Sequence, residues 1–245
     1  RGTVCIALEL DWGQSGMMTV QAEEFQTEAQ NIFGYDYTHE KMKPLRELFL
    51  YAKKALIYRC NSGEKASATM GQCTVQAVCG GTRGNDIKIV ISKNVDDETA
   101  FDVKTYLDLI LQDTQTVKTV EELKQNTYVT FTGNGTLEVN AGTNLTGGTN
   151  KQVTGNDYAD FLEEAEKENF SVLAYDGEDD VTKGLFTAFT KRMRNEEGVK
   201  FVTVLFDYAE ADFEGVIYVT NETEEQKTGL VYWTAGAQAG AEVNQ

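Results

Sequence analysis

The chain has 245 residues, with 22 Lys and Arg against 39 Asp and Glu, so its formal charge is −17. That charge argues against nucleic acid and anionic membrane as partners, because both are held by Lys and Arg releasing counterions. No apolar run reaches the roughly 18–20 residues of a spanning helix, and the opening segment lacks the apolar core and cleavage site of a signal peptide, so no membrane insertion and cytoplasmic synthesis are expected. The length gives one large domain or two smaller ones, with enough chain to bury a core without disulfide staples.

The chain opens on Thr3-Val4-Cys5-Ile6-Ala7-Leu8, a continuous apolar run of strand length that reads as a strand covered on both faces. A loop at 11–16 leads to a short strand at Met18-Thr19-Val20. Ala22, Phe25, Ala29, Ile32 and Phe33 then recur at helical spacing until Gly34, the expected C-cap. A second helix starts near His39, buries Met42, Leu45, Leu48, Phe49 and Ala52, and carries Pro44, the chain's single proline, in its first turn. Ala55-Leu56-Ile57-Tyr58 is another buried strand.

From Ala66 to about Asn150 the texture is alternating Thr, Val and Ile broken by glycine, which is β-domain composition. Strands are expected at 74–78, 86–91, 100–103, 106–111 and 128–131, with turns at 80–85 and 94–99. One helical turn is expected at 120–123 and a Gly, Asn and Thr loop at 133–148. Helix and strand then alternate again. Thr154 caps a helix through Tyr158, Phe161, Leu162 and Ala165, a strand follows at 170–175, and a helix at 181–193 carries Leu185, Phe186 and Phe189. Strands at 200–205 and 216–219 precede a last helix-like stretch at 222–240 with Leu230, Val231, Trp233 and Ala237. The fold class is therefore α+β or α/β: a discontinuous, sandwich-like α/β core from 1–65 plus 151–245, with a β-rich domain, barrel-like or sandwich-like, inserted at 66–150 and projecting outward.

Candidate chemistry is sparse. Cys5, Cys60, Cys73 and Cys79 match no paired-ligand spacing, and His39 is the sole histidine to complete a zinc site, so four reduced and mostly buried thiols are expected. A Ser-His-Asp or Cys-His mechanism would have to use His39, which stands in a polar segment with no nucleophile elbow nearby. Asp176-Gly177-Glu178-Asp179-Asp180 lies between a strand and a helix, where α/β folds place ligand sites, and could hold a hard cation. Its spacing is not that of a calcium loop, and helix capping accounts for the same residues. Residues 154–180 hold ten acids and one base, Lys167, which suits either a solvated face or a docking surface for a basic neighbour. Gly80-Gly81-Thr82-Arg83-Gly84 and Gly133-Asn134-Gly135-Thr136 lack the lysine of a phosphate loop and read as turns. No catalytic, cofactor-binding or metal-ligating residue is assigned, and no cofactor is expected. The main alternatives are a doubly wound α/β enzyme with its site near Asp176 to Asp180, which needs a pocket there, and an adhesin using Tyr106 or Tyr128 on a concave β face.

Taken in order, Arg1-Gly2-Thr3-Val4 through Leu10-Asp11-Trp12-Gly13, Phe33-Gly34-Tyr35-Asp36, Ile57-Tyr58-Arg59, Gly80-Gly81-Thr82-Arg83-Gly84-Asn85-Asp86-Ile87, Leu145-Thr146-Gly147-Gly148-Thr149-Asn150, Tyr158 with Phe161-Leu162, and Leu230-Val231-Tyr232-Trp233 before Ala235-Gly236-Ala237 carry a resemblance. The chain resembles the tail sheath proteins of contractile phage tails and of phage-derived particles such as defective prophages and contractile bacteriocins. The resemblance implies a structural subunit without catalysis. It would polymerise with copies of itself as stacked hexameric rings around an inner tail tube, contact baseplate and tail terminator proteins, and contract to drive the tube through a cell envelope. The α/β domain would face the tube and neighbouring subunits, with the β-rich domain outside. Family members usually have an N-terminal arm before the first strand and a further C-terminal domain. The start at Arg1 and the end at Asn244-Gln245 therefore lead us to expect a fragment lacking both, and monomeric or weakly associated in solution.

Overall fold

The structure is a computed structural model that describes residues 2–241; Arg1 and Asn244-Gln245 lie outside them. At its centre is β1 (Thr3–Leu8), buried along its whole length. Side chains alternate along a strand, so Val4, Ile6 and Leu8 enter one apolar cluster and Cys5 and Ala7 another on the opposite face. This two-sided burial is why the sequence shows a continuous run instead of alternation. β2 (Gly16–Gln21), α1 (Ala22–Phe33), α2 (Lys43–Phe49) and β3 (Lys54–Arg59) follow. Gly34 ends α1 at φ 77°, its N–H donating to the Gln30 carbonyl. Pro44 occupies the first turn of α2, where no intrahelical N–H is needed.

The next stretch is strand and turn: β4 (Ser67–Met70), β5 (Cys73–Ala77), β6 (Ile87–Lys93), β7 (Phe101–Leu107), β8 (Ile110–Val117), β9 (Val129–Gly133) and β10 (Asn140–Asn144). They form two antiparallel sheets, ordered β10-β6-β7-β8 and β4-β5-β9. Ile87, Ile89, Ile91, Val103 and Leu107 from one sheet and Val75, Ala77 and Val129 from the other share one core, so the β-rich part is a sandwich. The strand expected at 100–103 and the start of that expected at 106–111 form one strand, β7; a tight reversal then leads into β8, which takes Ile110 and Leu111. Asp108 and Leu109 turn the chain at φ 50° and 68°. An Asp-Leu pair does not announce such a turn, because positive φ favours glycine or asparagine. β4, β10 and most of β8 lie outside the expected strands; each ends its sheet, although Ser67 of β4 also bridges Thr146.

The second run of helix and strand comprises α3 (Gly155–Ala165), β11 (Val172–Ala174), α4 (Asp180–Asn195), β12 (Val202–Phe206), β13 (Val216–Val219) and α5 (Leu230–Gly240). Thr154 and Asp157 form a reciprocal capping box at α3. α5 begins only at Leu230, later than the expected 222. β1 pairs in parallel with both β3 and β11, giving a six-stranded sheet ordered β13-β12-β11-β1-β3-β2, with β2 antiparallel. Phe25 and Phe33 of α1, Leu45 and Leu48 of α2 and Val231 of α5 cover one face. Phe161 of α3 and Phe186 and Phe189 of α4 cover the other. The result is a three-layer α/β unit beside a β-sandwich, the mixed class expected.

Candidate functional site: a cleft and a seam beyond the end of β1

The chain leaves β1 toward β3 on one side, while β11 lies on the other, so the C-terminal end of β1 is a switch point of the kind where open α/β sheets form a crevice. A cleft of about 1340 Å³ opens there, lined by Glu9 and Asp11 after β1, Asp176 and Glu178 after β11, and Tyr158 and Tyr232. The pocket that an α/β enzyme would require is thus present. Its chemistry is modest. Tyr232 Oη donates to Asp176 Oδ2 at 2.5 Å. Burial pushes the Asp176 carboxyl above its usual range despite that hydrogen bond, and nearby Glu9 adds to the rise.

The rest of the acidic loop is committed to local structure. Asp179 caps α4, accepting from Thr182 N at 2.8 Å and Thr182 Oγ1 at 2.7 Å. Asp180 pairs with Lys183 at 3.0 Å, and Glu178 pairs with Lys227. Among the described residues no group of three or more His, Cys, Asp or Glu side chains gathers to hold a metal. His39 accepts the Lys41 N–H on Nδ1 at 3.2 Å and stacks on Tyr35 at 4.6 Å, a turn-capping role. All four cysteines are free thiols; burial raises each, Cys60 to about 12, so they stay protonated at neutral pH. Tyr128 is buried and Tyr106 half-buried beneath Lys88, which removes Tyr128 from any concave binding face.

The loop after β1 also joins the α/β unit to the sandwich. Trp12 leaves the sheet and is buried in the sandwich core, its ring 6.1 Å from that of Tyr128. Asp11 binds in two directions. Its Oδ2 accepts from Tyr35 Oη at 2.7 Å and from Lys41, while its Oδ1 accepts from Asn150 Nδ2 at 2.9 Å and Thr82 Oγ1 at 3.4 Å. Burial opposes ionisation, but the bonds from Lys41, Tyr35 and Asn150 outweigh it and hold the Asp11 pKa at about 2.

Two buried arginines complete the seam. Arg59, at the end of β3, donates through Nη1 to the carbonyls of Gly13 and Gly80 at 2.7 Å each, and through Nη2 to Leu10 O at 3.0 Å. Arg83 donates through Nε to Gly34 O at 2.7 Å, forms a two-point pair with Asp108, bonds Asp86 at 2.8 Å and lies 4.4 Å from the Tyr35 ring centre. Gly81, at φ 133°, approaches so closely that a Cβ would overlap the Asp11 carbonyl oxygen. A bridge between Ser62 and Asn150 closes the two connections side by side. The scattered motifs around Asp11, Gly34, Arg59, Gly81 and Asn150 thus converge on one place. Sequence reasoning took them separately; two arginines set among apolar residues and glycines were the available signal. The arrangement holds chain segments together.

Three family models match the chain end to end: the tail sheath protein Gp18 domain III N-terminal region at 1–60, the phage tail sheath protein beta-sandwich domain at 61–150 and the phage tail sheath protein central domain at 151–245. The chain is 39% identical over its whole length to the phage-like element PBSX protein XkdK of Bacillus subtilis and 38% identical to the YqbK protein of the same organism, spanning 58% of each. Among solved structures it matches the sheath tail protein of Desulfitobacterium hafniense with a TM-score of 0.94 at 41% identity, covering all of this chain and 60% of that one. It also matches the sheath tail protein of Listeria innocua at 0.84 and 36%, covering 57% of that chain.

Proposed function

The chain belongs to the phage tail sheath family, and on that premise we propose that it forms the wall of a contractile tail, as stacked hexameric rings of identical subunits around an inner tail tube. The end-to-end match to a solved sheath tail protein at a TM-score of 0.94 carries this reading. Assembly occurs in the bacterial cytoplasm, and the product resides in the tail of a virion or phage-like particle, in contact with tube, baseplate and terminator proteins. The α/β core from 1–65 plus 151–245 faces the tube and neighbouring subunits, and the β-rich domain at 66–150 lies outside. Strands β2 and β13 end the six-stranded sheet and offer the edges to which strands of neighbouring subunits add. Contraction needs no catalysis, because a metastable packing of subunits converts to one with better interfaces.

Negative-stain electron microscopy of a chain carried to the full length of its relatives, of which this one spans 58%, alone and with an inner tube protein, tests the reading. Rings or hollow tubes of uniform diameter support it, and dispersed particles under every condition count against it. The cleft with its raised Asp176 favours a second reading, a ligand-binding or catalytic α/β site. A small-molecule thermal-shift screen in which wild type responds and Asp176→Asn does not would support that one.

A further inference from the structure

A subunit of charge −17 repels its own copies, so surfaces on which copies meet must be locally uncharged or locally complementary. Most exposed large apolar side chains of the described residues stand singly; two groups do not. The first is the tip of the β7–β8 hairpin, where Leu109, Ile110 and Leu111 are 78%, 65% and 49% exposed in succession. The second is Leu50 and Tyr51 at the end of α2, beside Trp233 of α5, whose ring meets that of Tyr51 edge-on at 5.8 Å.

The hairpin tip is built to stay in place. Leu109 holds φ 68°, a conformation costly for a bulky residue and one that glycine would adopt freely. The tip is braced from both sides: Asp108 is gripped by the buried Arg83, and Gln112 accepts from Gln30 of α1 at 3.0 Å. An exposed, strained and braced apolar point is poorly explained by stability of the subunit alone.

Charge selects its counterpart. The tip carries the carboxylate of Asp113 on one flank, while Asp108 on the other is already paired with Arg83. The stretch around Leu50 and Tyr51 carries Lys53 and Lys54 and no acid from 48 to 54. This half of the patch belongs to the near-neutral residues 1–60, with seven basic and eight acidic groups, whereas Trp233 comes from 151–245, with eight and twenty. Trp233 and Leu230 also border the acid-lined cleft, so the tip would sit on the apolar rim beside Leu50 and Tyr51 and not in the cleft itself.

We propose that the β7–β8 tip of one copy docks on the Leu50–Tyr51–Trp233 patch of a second copy. The two surfaces differ, so the contact is head-to-tail and propagates into a ring or helix instead of closing as a pair. The proposal rests on the self-assembling reading above.

Mixing a Leu109→Cys chain with a Leu50→Cys chain and a short bis-maleimide tests it, with wild type as the measure of background from native thiols. The control pair replaces Leu109→Cys by Val95→Cys, an apolar site 92% exposed elsewhere on the sandwich. We expect at least a tenfold higher yield of cross-linked pairs from the first mixture. Equal yields would overturn the contact, as would preferential cross-linking of Leu109→Cys to added inner tube protein. Microscopy of the same full-length chain separates this from the sheath reading. Tubes formed by a chain carrying Leu109→Asp and Ile110→Asp would remove the contact and leave that reading standing. Tenfold cross-linking without tubes from wild type would do the reverse.

Discussion

Asn150 donates to Asp11 across 139 positions of sequence, at 2.9 Å, while Tyr35 and Lys41 hold the other oxygen of the same carboxylate. One side chain thus ties the start of the sheet, the α1–α2 connection and the return from the sandwich.

The Asp11 carboxyl sits at about 2 instead of 3.8, so its contribution is present above the unfolded value and lost as pH falls from about 3.8 toward 2. A shift of this size corresponds to about 2 kcal/mol. Urea unfolding across a pH series should show Asp11→Asn less stable than wild type by about that amount at pH 7, with the gap closing below pH 3. An unchanged gap at pH 2 would show that the ionised carboxylate is not what matters.

Arg59→Met should leave the carbonyls of Gly13, Gly80 and Leu10 without their donor, at a cost of about 3 kcal/mol or more. Arg59→Lys should recover little, because one ammonium cannot reproduce the planar fork. Chemical denaturation gives the magnitudes, and a lysine variant as stable as wild type would refute the geometry.

Asp176 behaves in the opposite sense to Asp11. Its folded pKa is raised, so its contribution is most favourable below 3.8 and declines as pH rises through the folded value. Asp176→Asn, which can still accept from Tyr232, should therefore unfold at a higher temperature than wild type at pH 7, and the advantage should vanish in acid. A variant less stable than wild type at neutral pH would mean that the carboxylate has a cationic partner in solution.

Leu109→Gly should stabilise the isolated subunit by about 1 kcal/mol, because Asp-Gly is the favoured sequence for the positive-φ reversal that Asp108 and Leu109 make. Calorimetry should show a rise in Tm of about 2–4 °C. No rise would show that the turn carries no strain.

Elements with a buried face were legible. The two-sided run of β1, the Gly34 stop, Pro44 and the Thr154 cap each expressed a local rule that the fold obeys. What escaped were β4, β10 and most of β8, edge strands for which burial imposes little pattern; β8 buries only Val117 along its length. The α5 boundary slipped because 222–229 form bends and a turn before the helix, and Gly229, which stands at its N-cap, is the punctuation that marks the true start. Asp179 was readable as a cap, whereas the Asp176–Tyr232 pair and the Asp11 seam were not. Both join residues whose proximity only the folded topology creates.

The central position of β1 sets an order of events during synthesis. One flank is closed by β3 soon after it is made, but the other waits for β11, about 110 residues later. At a translation rate of ~10 residues per second that is about ten seconds with an apolar strand edge open to misplaced pairing. The sandwich, with Trp12 already drawn into its core, is complete before β11 emerges. It gives the nascent first half a folded neighbour during the interval in which that edge is exposed.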